Sequence, residues 1–104
     1  MSDINFRRVM AAADLPEGQM RLVQVDDRAF LLCHTKEGWY ALDDICTHAY
    51  AKMHDGRLRG HRLICPLHGA SFDCRTGAVL GAPAILPLKT YEVRCVDDSV
   101  EIRL

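Results

Sequence analysis

The sequence predicts an all-β protein built from small antiparallel sheets. Turn signals rich in Gly, Asp and Pro divide the 104 residues into runs of strand length. Several runs alternate apolar and polar side chains or are continuously apolar, as strands do. The only helical signal, over residues 10–15, stops at Pro16, since the residue before a proline is pushed out of the helical region. We expect no more than a single helical turn there.

The first three predicted strands form a meander. Residues 20–25 alternate apolar and polar, which predicts a strand with one buried face. Residues 29–33 are continuously apolar, as in a strand buried on both faces, and residues 39–42 follow a tight turn at Gly38. We therefore expect three neighbouring strands joined by short turns.

Four further runs predict the remaining strands. They are residues 62–65, 70–73, 91–96 and 99–104. Asp97-Asp98 separates the last two runs and predicts the turn of a β-hairpin.

The composition indicates one compact soluble domain, spanning residues 1–104. Hydrophobic residues make up 49% of the chain, and 13 Lys and Arg face 14 Asp and Glu, a net charge of -1. This balance argues against a nucleic-acid binder or a polybasic membrane anchor. The first residues carry charges where a signal peptide needs an apolar run, and no run approaches a membrane span. We expect a cytoplasmic protein with no nucleic-acid or membrane partner.

The cysteines point to metal ligands. Five is an odd number and no C-x-x-C pair occurs, so a fully paired disulfide framework is impossible and a reducing compartment is favoured. Two of them open loops that also carry a histidine: Cys46-Thr47-His48 and Cys65-Pro66-Leu67-His68. Each loop offers one sulfur and one nitrogen, which suits a two-iron cluster whose irons take sulfur and nitrogen ligands respectively. The same four side chains would also satisfy zinc.

These two loops resemble those of the Rieske-type [2Fe–2S] ferredoxins. The likeness is greatest to the ferredoxin components of aromatic-ring-hydroxylating dioxygenase systems and covers nearly the whole chain. Further shared segments are Asp55-Gly56, Gly69, Ser71-Phe72-Asp73, Thr76-Gly77, Pro83 and Pro87-Leu88-Lys89-Thr90-Tyr91-Glu92-Val93. The resemblance implies a Rieske-type fold in which residues of about 43–84 form a cluster-binding portion from two ligand loops.

The resemblance also implies the ligand roles. Cys46 and Cys65 would hold the inner iron of one [2Fe–2S] cluster, and His48 and His68 the outer iron, with their ring edges exposed. The segment around Pro83 would cover the cluster from a third side.

The implied activity is electron transfer rather than catalysis. A monomeric carrier of this family would accept one electron from a flavin-dependent ferredoxin reductase and deliver it to a terminal oxygenase with its own Rieske centre. A second hypothesis is a small Rieske-like subunit of an NAD(P)H-dependent nitrite reductase or similar oxidoreductase complex. A third is a zinc-stabilised structural module.

Departures from the quinol-oxidising Rieske proteins predict a low reduction potential. Those relatives join the ligand loops by a disulfide where this chain has Ala51 and Leu67, and place Ser and Tyr hydroxyls where it has Ala70 and Phe72. Hydrogen bonds to the cluster stabilise its reduced state, so their absence lowers the potential. We expect a value near the low end of the Rieske range, at about −150 mV.

Other side chains divide into a docking rim and a structural group. Tyr50, which stands beside His48, and Met53 are expected on an apolar rim around an exposed histidine. His54, in the same loop, is a weaker candidate for this rim. We expect the remaining cysteines to be small buried side chains in or beside strands and one histidine to be structural: Cys33, Cys74, Cys95 and His34.

Overall fold

The computed structural model describes residues 5–46, 51–67, 69–82, 84 and 86–104. Within these ranges the chain forms strands and two 3-10 helices, Ala12–Asp14 and Met53–Asp55, and the all-β prediction is confirmed. The strands are β1 (Phe6–Ala11), β2 (Gln19–Val25), β3 (Arg28–Thr35), β4 (Gly38–Leu42), β5 (Arg57–Arg59), β6 (Arg62–Ile64), β7 (Ser71–Asp73), β8 (Val79–Gly81), β9 (Thr90–Tyr91), β10 (Val93–Val96) and β11 (Ser99–Arg103). The described residues include no helix with the length and apolar character that crossing a membrane requires.

Three antiparallel sheets make up the fold. Their strand orders are β1-β11-β10, β2-β3-β4-β9 and β5-β6-β7-β8. The predicted meander is the β2-β3-β4 part of the second sheet. The predicted hairpin is β10-β11, and its turn residues Asp97 and Asp98 have φ of 50° and 64°. Positive φ at both positions gives a turn whose twist matches that of the two strands.

Strand β3 separates two hydrophobic cores, as its continuously apolar sequence predicts. Leu31 and Cys33 point into one core and Phe30 and Leu32 into the other, since side chains alternate along a strand. The first core contains both predicted cysteine ligands and the buried side chains of β6 and β7. The second lies between this sheet and the β1-β11-β10 sheet. The core that Leu31 and Cys33 help to form therefore extends to both predicted cysteine ligands.

The run over residues 91–96 is not one strand. Thr90 and Tyr91 pair with β4, whereas Val93–Val96 pairs with β11, so the chain passes from one sheet to another at Glu92. The phenol of Tyr91 donates a hydrogen bond to Asp43 at 2.5 Å, which holds β9 to the end of β4. At the other end of the chain, the helical signal over residues 10–15 corresponds to β1 followed by one 3-10 turn.

The structural group is confirmed except for one cysteine. Cys33 and Cys74 are fully buried, and His34 stacks on Trp39 while its Nδ1 lies 2.8 Å from the Leu15 carbonyl. Cys95, however, is exposed, and its prediction as a buried side chain is wrong. It lies on β10, one of the two edge strands of its sheet, close to the hairpin turn.

Candidate metal centre

Both predicted cysteine ligands lie where a loop closes on itself. The amide of Cys46 donates to the Ala51 carbonyl at 2.7 Å, and the amide of Cys65 donates to the Ala70 carbonyl at 2.7 Å. In each loop the backbone amide of the cysteine is hydrogen-bonded to the carbonyl of the residue five positions later. The same hydrogen-bond pattern therefore closes both loops. The cysteines therefore stand at equivalent places at the two loop necks.

The two loops are carried by different elements. The first follows β4, and its neck is extended by a β-bridge between Ile45 and Lys52. The second connects β6 to β7, which pair directly, so it is the loop of a hairpin. Gly69, in that loop, has φ of +72°, a conformation that side chains rarely adopt.

The two cysteine side chains meet in the interior. Cys46 is fully buried and Cys65 is 2% exposed, and the side chains are in hydrogen-bonding contact. Burial raises the pKa of the Cys65 thiol, as does the neighbouring Cys46, while an amide hydrogen bond from Leu67 acts in the opposite direction. A metal must displace the protons of such thiols on binding. Paired buried sulfurs with an amide donor at one of them fit the cysteine side of an iron–sulfur cluster.

The other residues of the predicted centre lie outside the described residues. These are the two histidine ligands, the aromatic rim residue and the covering-loop proline: His48, His68, Tyr50 and Pro83.

The rim prediction is wrong for Met53. This side chain is fully buried in the core that contains the cysteine ligands. It begins the 3-10 helix Met53–Asp55, which follows the neck of the first loop and turns the side chain inward. The exposed large apolar side chains next to the ligands are instead Ile45 and Leu67, at 43% and 46% exposure.

A buried acid that the sequence analysis did not single out supports the first loop. Asp44 is 6% exposed and lies two residues before Cys46. Its carboxylate accepts the His54 amide at 2.8 Å, and the His54 ring Nδ1 lies 2.6 Å away. His54 is thus held against the loop neck. The available signal was the pair of acids, Asp43 and Asp44, between the apolar end of β4 and Ile45-Cys46.

The positions that replace hydroxyl-bearing residues are buried beside the cysteines. Ala70 and Phe72 are fully buried and belong to the same core as Cys46 and Cys65. Neither side chain has a polar hydrogen to donate to a sulfur. Both positions therefore lie in the immediate surroundings of the ligands and contribute packing alone.

Comparison with known proteins gives a consistent family. The Rieske [2Fe-2S] domain matches residues 5–92. The ferredoxin component of a naphthalene 1,2-dioxygenase system of Pseudomonas aeruginosa is 39% identical over 95 residues, covering 91% of each chain.

Solved structures agree in fold. The Sphingomonas yanoikuyae B1 ferredoxin is 34% identical with a TM-score of 0.88, over 96% of this chain and 99% of that one. A chain in a complex of reduced oxygenase and oxidized ferredoxin in carbazole 1,9a-dioxygenase is 31% identical with a TM-score of 0.89, over 95% and 93%. The predicted resemblance and the predicted cofactor are confirmed. The chain belongs to the Rieske [2Fe–2S] domain family, whose members carry one Rieske-type cluster.

Proposed function

We propose that this protein is a low-potential Rieske ferredoxin of an aromatic-ring-hydroxylating dioxygenase system. It takes one electron from a flavin-dependent reductase and delivers it to the terminal oxygenase. The observation that carries the proposal is the meeting of Cys46 and Cys65, buried at the equivalent necks of two loops. The similarity to proteins named as ferredoxin components supports the carrier role over an enzymatic one.

The proposed ligands are Cys46 and Cys65 on one iron and His48 and His68 on the other. The donor set matches the two-sulfur, two-nitrogen coordination of Rieske clusters. The cluster-binding portion, residues 43–84, includes the β5-β6-β7-β8 sheet, and the other two sheets form the base of one domain over residues 1–104.

The reduction potential should lie near about −150 mV, at the low end of the Rieske range. Ala70 and Phe72, buried with the cysteines, support this value because their side chains have no hydrogen-bond donor to stabilise the reduced cluster.

Docking takes place at the surface that surrounds the ligand loops. Ile45 and Leu67 supply apolar contact area beside the two cysteines, and an apolar patch with a polar surround is typical of a transient interface. The similarity to a ferredoxin solved in complex with an oxygenase supports an oxygenase as the acceptor. We propose that the carrier is a cytoplasmic monomer, because a small, short-lived contact is sufficient for electron transfer.

A ligand-substitution series tests the cluster. His48→Ala and His68→Ala should lose most of their iron and the Rieske electron paramagnetic resonance signal. His61→Ala is the matched control and should keep two irons per chain, since its ring Nε2 lies 3.0 Å from Thr35 Oγ1 and serves a structural contact. A colourless parent protein with stoichiometric zinc would establish the structural zinc module instead.

Electron transfer is tested on the parent protein. Photoreduced flavin mononucleotide should reduce it, and the oxygenase of the naphthalene 1,2-dioxygenase system should reoxidise it within a stopped-flow experiment. Film voltammetry should find the one-electron couple near about −150 mV. A strongly positive couple would contradict the low-potential assignment.

Stable co-purification with a large catalytic subunit would favour the nitrite reductase hypothesis.

A further inference from the structure

We propose that His54 is a positioning residue that sets the reduction potential of the cluster through its hydrogen bonds to the buried Asp44. The proposal rests on the proposed function, because it concerns the same cluster. It assigns to His54 a role different from a docking-rim residue and from a metal ligand.

Asp44 is joined to the start of the 3-10 helix by three hydrogen bonds. Its Oδ1 accepts the His54 amide at 2.8 Å, and its Oδ2 lies 2.6 Å from the His54 ring Nδ1. Its main-chain carbonyl accepts the Met53 amide at 2.5 Å. Because a carboxylate only accepts, Nδ1 carries the proton in the ring contact. Hydrogen bonds of this length to a charged acceptor are among the stronger ones in proteins.

These bonds continue directly into the neck of the first ligand loop. Next to Asp44, Ile45 forms its bridge with Lys52, and after it the amide of Cys46 binds the Ala51 carbonyl. Residues 44–46 and 51–54 thus form one continuous pair of chain segments. The position of the Cys46 sulfur is therefore coupled to the contact between Asp44 and His54.

The His54 ring supplies a second hydrogen bond to the Asp44 carboxylate, which the backbone amide alone cannot make. Any residue other than proline at position 54 could donate its amide to Oδ1, but the Oδ2 contact needs a side-chain donor. Asp44 is 6% exposed, so water can contribute little to solvating Oδ2 if the ring is removed. The ring is the partner that keeps the second oxygen satisfied beside the ligand loop.

An acidic side chain lies next to each nitrogen of the His54 ring. Its Nε2 lies 3.6 Å from Oδ1 of Asp55, a largely exposed carboxylate, so both ring nitrogens face acids. Apart from His54 itself, the only basic side chain among the residues that line the adjoining cavity is the exposed Lys52. The ring is therefore the described group that compensates the buried carboxylate.

Compensation of this charge affects the potential because reduction adds an electron to the cluster. A buried carboxylate without its partner disfavours the added negative charge and lowers the potential. Conversely, a neutral group in place of the carboxylate raises the potential. The two changes act in opposite directions, whereas a general loosening of the loop would change both variants in the same direction.

The test compares substitutions at the two positions in cluster-loaded protein. His54→Ala should lower the equilibrium constant for reduction roughly three- to tenfold, measured as midpoint potential by film voltammetry. Asp44→Asn should shift the potential upward. His54→Asn should restore the parent value, because its amide nitrogen occupies the place of Nδ1. His54→Gln places its amide nitrogen near the place of Nε2 and should resemble His54→Ala.

His61→Ala is the matched control. It also removes a partly buried histidine with one side-chain hydrogen bond, but one made to Thr35, away from the ligand loop. Its potential should equal that of the parent protein.

The outcomes are distinguishable. Iron content and the electron paramagnetic resonance spectrum are measured for every variant. A parent protein without a [2Fe–2S] cluster overturns the proposed function and this inference together. A loaded parent in which His54→Ala leaves potential and spectrum unchanged overturns the inference alone. If His54→Ala fails to load, the Asn and Gln variants decide: equal potentials for the two contradict the role of the Nδ1 contact.

Discussion

Asp73, at the end of β7, receives three hydrogen bonds from Arg75. The Arg75 amide and Nε contact Oδ1 at 2.8 and 3.1 Å, and Nη2 contacts Oδ2 at 2.9 Å. The same guanidinium lies 3.4 Å from Glu37 on the turn between β3 and β4. The hydrogen bonds from the Arg75 side chain hold the pKa of Asp73 below its ordinary value of 3.8. The ionised form of Asp73 therefore contributes to the stability of the fold.

Substitution of Asp73 should have a pH-dependent effect. A carboxyl group whose pKa is lowered by folding stabilises the protein above its unfolded pKa and ceases to do so as the pH falls through the folded value. Asp73→Asn should therefore lower the melting temperature by a few degrees at pH 7, with the difference narrowing below about pH 4. Thermal unfolding from pH 7 to pH 3 measures it, with Asp27→Asn as an exposed control. A difference that is independent of pH would assign the effect to shape rather than to charge.

At this scale the sequence predicts residues whose chemistry is visible in their spacing. Cys46 and Cys65 are predicted as ligands because each is followed closely by a histidine, and the structure brings the two cysteines together. Met53 and Cys95 are misassigned, since burial depends on which way a short helix turns and on which strand forms a sheet edge. Asp44 is missed because its partner, His54, lies ten residues away on another element.

Among the elements, the turn after β7 depends on a glycine. Gly77 has φ of +79°, and its carbonyl accepts the Leu88 amide at 2.9 Å. A Cβ at this position would lie 2.0 Å from the Leu88 carbonyl oxygen. The close approach connects the turn between β7 and β8 to the segment that precedes β9.

Gly77→Ala should destabilise the fold much more than Gly60→Ala does. Both glycines have positive φ, but a Cβ at Gly60 would meet no atom within 4 Å. Gly60→Ala should therefore lower the free energy of unfolding by about 1 kcal/mol, the penalty for a side chain in the left-handed conformation. Gly77→Ala adds a clash with backbone, for a total on the order of 3 kcal/mol or more. Urea unfolding measures both, and equal losses would contradict the close contact with Leu88.

Two of the strands that the sequence does not predict, β5 and β8, depend on their neighbours for their existence. β5 has the sequence Arg-Leu-Arg and β8 ends in a glycine, and each has three residues. So short a run carries too little alternation to predict a strand. They form because β6 and β7 offer them partners. The long runs in β2 and β3, whose apolar pattern is independent of pairing, are predicted correctly.

On the scale of the whole molecule, the net charge of -1 conceals a local basic surface next to the ligand loops. The side chains of Arg57 and Arg59 are exposed, and neither makes a hydrogen bond or ion pair with another described residue. Arg57 pairs in register with Ile64, which precedes Cys65, and borders a cavity of about 350 Å³ beside that cysteine. The arrangement favours an acidic docking face on the partner.

Charge reversal at this surface should slow the encounter with the oxygenase. Arg57→Glu should reduce the second-order rate of reoxidation by the naphthalene 1,2-dioxygenase oxygenase roughly three- to tenfold at low salt, with the difference shrinking as salt screens the charges. Arg8→Glu is the control, because Arg8 lies on β1 in a different sheet. An equal effect of both variants would indicate a response to net charge rather than to this surface.

The position of β3 between the two cores couples the packing of one core to that of the other. Alternate side chains of this one strand complete the core that holds the cysteines and the core shared with the terminal strands. Neither core can lose its order without removing half of the packing that fixes β3. The β5-β6-β7-β8 sheet, which carries Cys65, is therefore not an independently stable module that could be transplanted by itself. A graft of the cluster onto another scaffold would have to include the β3 strand.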